Sequence, residues 1–312
     1  MKKWFVTVGL AFTLAACGGG DDAPAPSTDE ADESTGGEAS SEVFEVAVIP
    51  SQSTGEMETG LNNLEEHLNE ALDREVEVVQ YPNYNAVVEA LNYNHIDLAF
   101  LGPLTYLIAH EQSGAQAIIT QEIDGEPYYY SYIITHADSE WETLEDMLED
   151  RADVNFAFAS NSSTSGHLIP GLELRNRGHY EDDLDNDFAQ IQFAGSHDVV
   201  TTLVQDQTVE AGAVDSAILE SLMKDDEANG GSLRDDIKVI WQSDQLYQYP
   251  WVVPSEMTDE EIEEIRAAFY DITDEEILRI FGGASSFVEA DDTQYADVLE
   301  AAREFDMLKL EE

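Results

Sequence analysis

The chain is predicted to be an α/β protein of two lobes joined by two extended crossings, with a ligand cleft between them. Three observations predict it. From residue 43 onward, short apolar runs alternate with segments of helical spacing, the pattern of a mostly parallel sheet covered by helices. Two longer extended stretches, near 128–135 and 245–253, divide that alternation into two units. The length of 312 residues suits about two domains of ~150 residues each.

In order, Val43 to Ile49 reads as a strand ended by Pro50. Ser51 to Gly55 is a polar turn, and Met57, Leu61, Leu64, Leu68 and Leu72 repeat at helical spacing. A strand at 76–79, a helix at 84–91 and a strand at 96–101 follow, and Gly102-Pro103 turns the chain into a helix at 104–110. A further strand is expected at 117–120. After the first crossing come a helix at 144–148, a strand at 154–159, a helix from about 164 and a strand at 188–193. A helix at 198–205, a strand at 211–214, a helix at 217–223 and a strand at 237–241 complete this unit. Beyond the second crossing the remainder reads as helical, at 259–270, 274–281 and 294–305, packing back on the first unit. Residues 43–130 plus 247–312 therefore form lobe I and 131–246 lobe II.

The N-terminus is of a different kind. Lys2-Lys3 precedes an apolar run, Trp4 to Leu14, too short to span a bilayer. Leu14-Ala15-Ala16-Cys17 resembles the lipobox of bacterial lipoproteins, so 1–17 is expected to be a signal peptide and Cys17 the lipidation site. Acylation there would anchor the chain to the membrane by lipid only. Residues 18–42 carry Gly, Ser, Pro and acids with no aromatic and no basic residue, and should be a disordered acidic linker.

Composition narrows the partners. With 67 acidic against 13 basic residues the formal charge is −54, which excludes nucleic acid and disfavours anionic lipid. Such self-repulsion is tolerable where the Debye length is short, ~3 Å at 1 M salt, so the protein is read as built for a very salty solvent. Cys17 is the single cysteine, which rules out an intrachain disulfide. The seven histidines show no metal-ligand spacing. Nucleophile-elbow, phosphate-loop and zinc-protease motifs are absent. The expectation is a protein with no catalytic residues, cofactor or metal.

Four strand-to-helix turns could face the cleft: Ser51-Gln52-Ser53, Leu101 to Thr105, Ser162 to Gly166, and Gly195-Ser196-His197. The third holds Ser162, Ser163, Thr164 and Ser165 in a row. One hydroxyl suffices for an N-cap, whereas several beside a helix N-terminus make an anion site of neutral donors. His197 would donate to an anion and could be protonated by it, or else be a local cap. Gly102 permits close backbone approach or equally a plain tight turn, and Tyr84, opening a helix after Asn83, reads first as a packing residue.

Asn161 to Gly166, with Leu168-Ile169-Pro170-Gly171, resembles the serine-threonine-serine-glycine signature of phosphonate-binding proteins, the extracytoplasmic receptors of phosphonate and phosphite ABC transporters. Ile96 to Pro103, Gly195-Ser196-His197 and Val209 to Ser216 are similar to that family in order and spacing. The resemblance implies a type II periplasmic-binding fold with a two-stranded hinge. It implies that Ser163, Thr164 and Ser165 hold the phosphorus oxyanion, that His197 adds a hydrogen bond, and that Tyr84 reaches in from the other lobe. Where aminoalkylphosphonate binders are expected to have two acids, this chain has Ala217 and Tyr249, and a family tyrosine is replaced by Leu101. A smaller ligand is therefore expected: phosphite, phosphate or a simple alkylphosphonate such as methylphosphonate, with Tyr106 supplying the lost phenol. The expected partner is an ABC permease and the expected state a monomer. A receptor for a sulfonate or other organic anion, or an exported ligand-sensing protein, is the alternative.

Overall fold

The computed structural model describes residues 43–182 and 184–308. The expected signal segment, Cys17 and the linker lie outside the described residues. The chain begins with β1 (Phe44–Val48), α1 (Thr54–Ala71), β2 (Val76–Gln80), α2 (Tyr84–Asn92), β3 (Leu98–Phe100), α3 (Pro103–Ser113) and β4 (Gln116–Glu122). The short β5 (Tyr128–Tyr129) leads into β6 (Ser131–His136), α4 (Leu144–Glu149) and β7 (Asn155–Phe158). A π-helical turn, Thr164–Leu168, runs into α5 (Ile169–Asn176), followed by β8 (Gln190–Phe193), α6 (His197–Gln205) and β9 (Ala211–Asp215). Next come α7 (Ser216–Ala228), α8 (Leu233–Asp236) and β10 (Ile237–Gln242). The chain returns by β11 (Leu246–Tyr247) and β12 (Pro250–Val253) to α9 (Asp259–Tyr270), α10 (Glu275–Ile280), β13 (Ser286–Glu289) and α11 (Ala296–Glu304).

Local chemistry explains the boundaries. Met57, Leu61, Leu64 and Leu68 form the buried stripe of α1. Asn83 caps α2 by accepting the Ala86 N–H, and α3 starts with Pro103 and ends at Gly114 with φ 73°. Reciprocal capping boxes start α4 (Thr143 with Asp146) and α9 (Thr258 with Glu261).

The strands form two sheets, ordered β13-β4-β12-β3-β1-β2 and β10-β6-β9-β7-β8, while β5 and β11 pair as a two-stranded ribbon joining the crossings. Both sheets are mixed, which corrects the mostly parallel expectation. β1 is parallel to β2 and β3, and β7 to β8 and β9. The strands that carry the chain between lobes enter reversed: β6 is antiparallel to β9, and β12 runs antiparallel between β3 and β4. A second correction is β13, in a region read as helical, which pairs with β4 at the edge.

The first sheet and its helices bury one large apolar cluster around Trp251, Phe100, Phe269 and Phe281. The second sheet has a cluster on each face, one around Phe156 and Phe158 and one around Val200 and Val214. Leu168 and Ala217, from the second lobe, are buried within the first lobe's cluster, and Phe305, after α11, packs on both. The lobes are thus closed on one another, with apolar contact reinforcing the polar contacts of the cleft.

Basic side chains are few and well used. Arg279 meets Asp225 and Glu276, Arg266 meets Glu263 and Glu289, and Arg177 meets Glu145 and Glu173. Partly exposed pairs of this kind contribute little each, and with every basic residue counted the net charge is still −54. The melting temperature should therefore rise with salt, on the order of 10 °C between about 0.05 and 2 M sodium chloride. A salt-independent thermal melt would refute this.

Candidate functional site

The hydroxyl-rich stretch is built as a loop closed on itself. Ser163 is the N-cap of the π-helical turn, its Oγ accepting the Gly166 N–H at 3.0 Å. Thr164 and Ser165 open that turn, so their N–H groups have no carbonyl one turn back. Pro170 has no N–H to offer the Gly166 carbonyl four residues earlier, and that carbonyl instead accepts the Ala159 N–H at 3.0 Å. The Ile169 N–H reaches back five residues to Thr164, giving the widened turn. The proline thus frees a carbonyl that ties the end of β7 to the nest.

All four turns singled out in the sequence converge here. Thr164 Oγ1 accepts the Leu104 N–H at 2.8 Å, and Thr105 Oγ1 donates to the Ser162 carbonyl at 3.0 Å. The His197 N–H donates to the Ser51 carbonyl at 3.0 Å, and the Ser53 N–H to Asp198 Oδ1 at 3.0 Å. Ser163 Oγ lies 3.5 Å from His197 Nε2. Ser162 Oγ donates to Asn85 Oδ1 of α2 at 2.7 Å, so each turn is held by an element of the opposite lobe.

His197 is fully buried at the first position of α6. Its Nδ1 accepts the Asp215 N–H at 3.1 Å, which places the ring proton on Nε2, a donor 3.3 Å from the Tyr249 hydroxyl. Burial lowers its pKa to about 4, with Asp198 opposing, so it is a neutral donor. The protonated form anticipated from sequence is disfavoured by the same burial.

Three buried hydroxyls have no hydrogen-bond partner among the described residues: Tyr84, Tyr129 and Ser165. Tyr84 faces Ser163, and Tyr129 faces Ser165 and Thr164. Burial holds the Tyr84, Tyr129 and Tyr249 phenols far above their ordinary range, with Asp215 adding to it, so all three are neutral donors. Buried polar groups are seldom left unpaired, and three facing one nest mark a place for an acceptor-rich guest. Among the described residues, no lysine or arginine hydrogen-bonds any of these side chains. No group of three or more potential metal ligands occurs among them either.

Asp215 closes the constellation. It is buried, and its Oδ1 caps α7 by accepting the Ala217 N–H at 2.7 Å and the Ile218 N–H at 3.1 Å. Burial raises its pKa to about 7 against those two N–H groups and the Tyr249 hydroxyl. Asp215, Ala217, Tyr249, Phe100 and Gln121 line a cavity of about 10 Å³, room for one water-sized group.

Of the residues expected from sequence, Ser163, Thr164, Ser165, His197 and Tyr84 are brought together. Gly102 lies beside them, but an added Cβ would sit 3.7 Å from Tyr249 and 3.8 Å from Thr164; ordinary contact distances do not require a glycine. Tyr106 is a correction. Its hydroxyl donates to Asp292, its ring packs on Tyr295, and burial with the Asp292 bond raises its pKa. That phenol is occupied and is not a replacement for a lost ligand group. Sequence reasoning missed Tyr129 and the role of Asp215. The signal for Asp215 was a fifth strand-to-helix turn, Val214-Asp215-Ser216, with an acid at the N-cap.

Two α/β lobes closed over a buried cluster of neutral donors are the architecture of a two-lobed binding protein. The sequence profile described as ABC transporter, phosphonate, periplasmic substrate-binding protein matches residues 46–295, and the chain belongs to this family. It is 25% identical over 283 residues, 86% of this chain and 91% of the relative, to the probable ABC transporter phosphite binding protein PhnD1 of Prochlorococcus marinus. It is 27% identical over 268 residues, 83% and 78% of the two chains, to the phosphate-import protein PhnD of Mycolicibacterium smegmatis. The solved structure of the Prochlorococcus protein with methylphosphonate shares the fold, with TM-score 0.73, 24% identity and coverage of 85% of this chain and 98% of that one. The chain is therefore an exported substrate-binding protein that works with an ABC transporter, and it is not an enzyme.

Proposed function

We propose that this chain is the lipid-anchored, monomeric receptor that captures a small phosphorus oxyanion and hands it to an ABC permease. The ligand is phosphite, phosphate or a simple alkylphosphonate such as methylphosphonate. The observation that carries this reading is the convergence of the unpartnered Tyr84, Tyr129 and Ser165 hydroxyls on the Thr164 and Ser165 N–H groups. An anion accepting from them satisfies every one at once, and neutral dipoles in a closed cleft keep their strength in concentrated salt. Ser163, Thr164, Ser165, His197 and Tyr84 are the proposed ligand groups, Cys17 the proposed anchor, and 43–130 plus 247–312 and 131–246 the proposed lobes.

Close packing supports a small fourth substituent on phosphorus. Ser163, Thr164, Ser165, His197, Tyr84 and Tyr129 are all fully buried in this closed form, and the cavity at Asp215 and Ala217, next to Tyr249, has room for no more than a water-sized group. Asp215 does lie where an ammonium could be met, so aminoethylphosphonate is the informative competitor. Relatives named for phosphite and phosphate, and one solved with methylphosphonate, make the same three ligands natural candidates. Calorimetry in molar salt with phosphite, phosphate, methylphosphonate, aminoethylphosphonate and methanesulfonate is the test. Phosphite or methylphosphonate should bind at least tenfold tighter than the last two; tightest binding of aminoethylphosphonate or of the sulfonate would overturn the ligand assignment.

A further inference from the structure

We propose that Asp215 makes recognition depend on a proton, so that the site takes an oxyanion together with one proton held between the ligand and the Asp215 carboxylate. The inference rests on the functional reading above and deepens it from "small oxyanion" to "oxyacid with an ionisable P–OH".

The geometry leaves little choice. Asp215 is 1% exposed, so water cannot screen it. Its Oδ1 accepts the Ala217 and Ile218 N–H groups, the Tyr249 hydroxyl also hydrogen-bonds the carboxylate, and the carboxylate lone pairs these donors do not use can share a proton. The titratable groups around it are Tyr84 from α2, Tyr129 from β5, Tyr132 from β6, Tyr249 ahead of β12, and His197 from α6, which Asp198 faces in turn. None of them is a cation. A bare carboxylate beside a bare oxyanion in this desolvated setting would oppose binding. One proton removes the conflict in either of two equivalent ways: the ligand keeps its P–O–H and donates to Asp215, or Asp215 is protonated and donates to P–O⁻. No bond other than that to the proton changes.

Selectivity follows. Acids of the phosphate type hold their second proton to near-neutral pH, ~6 for phosphate esters, and bring the proton with them. A sulfonate brings none and binds only by charging Asp215 with a proton from solvent. The Asp215 pKa of about 7 sets the sign: below it the free protein already holds the proton, and above it binding must take one up.

Calorimetry of phosphite in buffers of different ionisation enthalpy at about pH 8.5 measures that uptake. The wild type should take up close to one proton per ligand, with Kd rising about tenfold per pH unit. Asp215→Asn keeps an N-cap oxygen and supplies a permanent N–H donor. It should bind with proton uptake near zero and gain at least tenfold for methanesulfonate at about pH 8.5 relative to wild type. Wild-type binding with no proton uptake, or equal uptake in both proteins, overturns the inference and reduces Asp215 to a cap. The wild-type measurement alone decides if the variant does not fold. Failure of every phosphorus oxyanion to bind wild type would instead overturn the functional reading.

Discussion

Ser165→Ala is expected to lower affinity for phosphite or methylphosphonate roughly 10–100-fold while leaving the ligand-free melting temperature unchanged or slightly raised. Ser165 Oγ is buried and unpartnered. In the ligand-free protein the hydroxyl therefore carries a desolvation cost with no bond in return, and its removal costs nothing. Toward a bound anion the same hydroxyl donates a charge-assisted bond worth ~1.5–3 kcal/mol, and each 1.4 kcal/mol is about tenfold in Kd. A purely structural serine would behave the opposite way, losing stability and keeping affinity. Calorimetry and a thermal melt on the same preparation separate the two outcomes, and unchanged affinity would remove Ser165 from the site. Thr164 makes a less clean probe, because its Oγ1 already accepts the Leu104 N–H across the cleft; its loss would mix ligand contact with lobe closure.

The same contrast explains what could be read from the sequence. The two-lobe alternation was legible because each strand is a compact apolar run and each helix a periodic one. The nest was legible because four adjacent hydroxyls exceed what a cap requires. Strand direction was not, since antiparallel insertion of β12 between β3 and β4 follows from the route of the chain and leaves no mark in composition. β13 escaped because Ser286-Phe287-Val288-Glu289 is too short an edge strand for its alternation to stand out. Tyr129 looked like one more aromatic in an extended crossing, and its unpartnered hydroxyl exists only once the lobes meet. Tyr106 erred the other way. A tyrosine early in a cleft-facing helix suggested a donor, but Asp292, 186 residues away, takes that hydroxyl. Groups recruited across such separations depend on packing that no local pattern encodes.

The largest effect is expected from Gly166→Ala, which should abolish measurable oxyanion binding, a loss above 100-fold, and lower the melting temperature by about 2–6 °C. Gly166 is not in the left-handed region, so backbone strain is not the reason, and alanine would favour the helical turn by up to ~1 kcal/mol. Sterics decide instead. An added Cβ would lie 2.5 Å from Ala159 Cβ, 2.9 Å from His197 Cε1 and 2.9 Å from Ser163 Oγ. Ala159 is fixed just beyond β7 by its own N–H bond to the Gly166 carbonyl and cannot yield as a flexible side chain would. Overpacking of this kind costs ~1–3 kcal/mol, which exceeds the propensity gain and gives a shift of a few degrees. Relief must come from separating the nest from β7 and His197, and those are the groups proposed here to hold the anion by their relative placement. The closest clash is one methyl, so Ala159→Gly added to Gly166→Ala should recover part of both stability and affinity. Wild-type binding by Gly166→Ala, or no recovery in the double variant, would show that close packing of the nest against β7 is not what shapes the site.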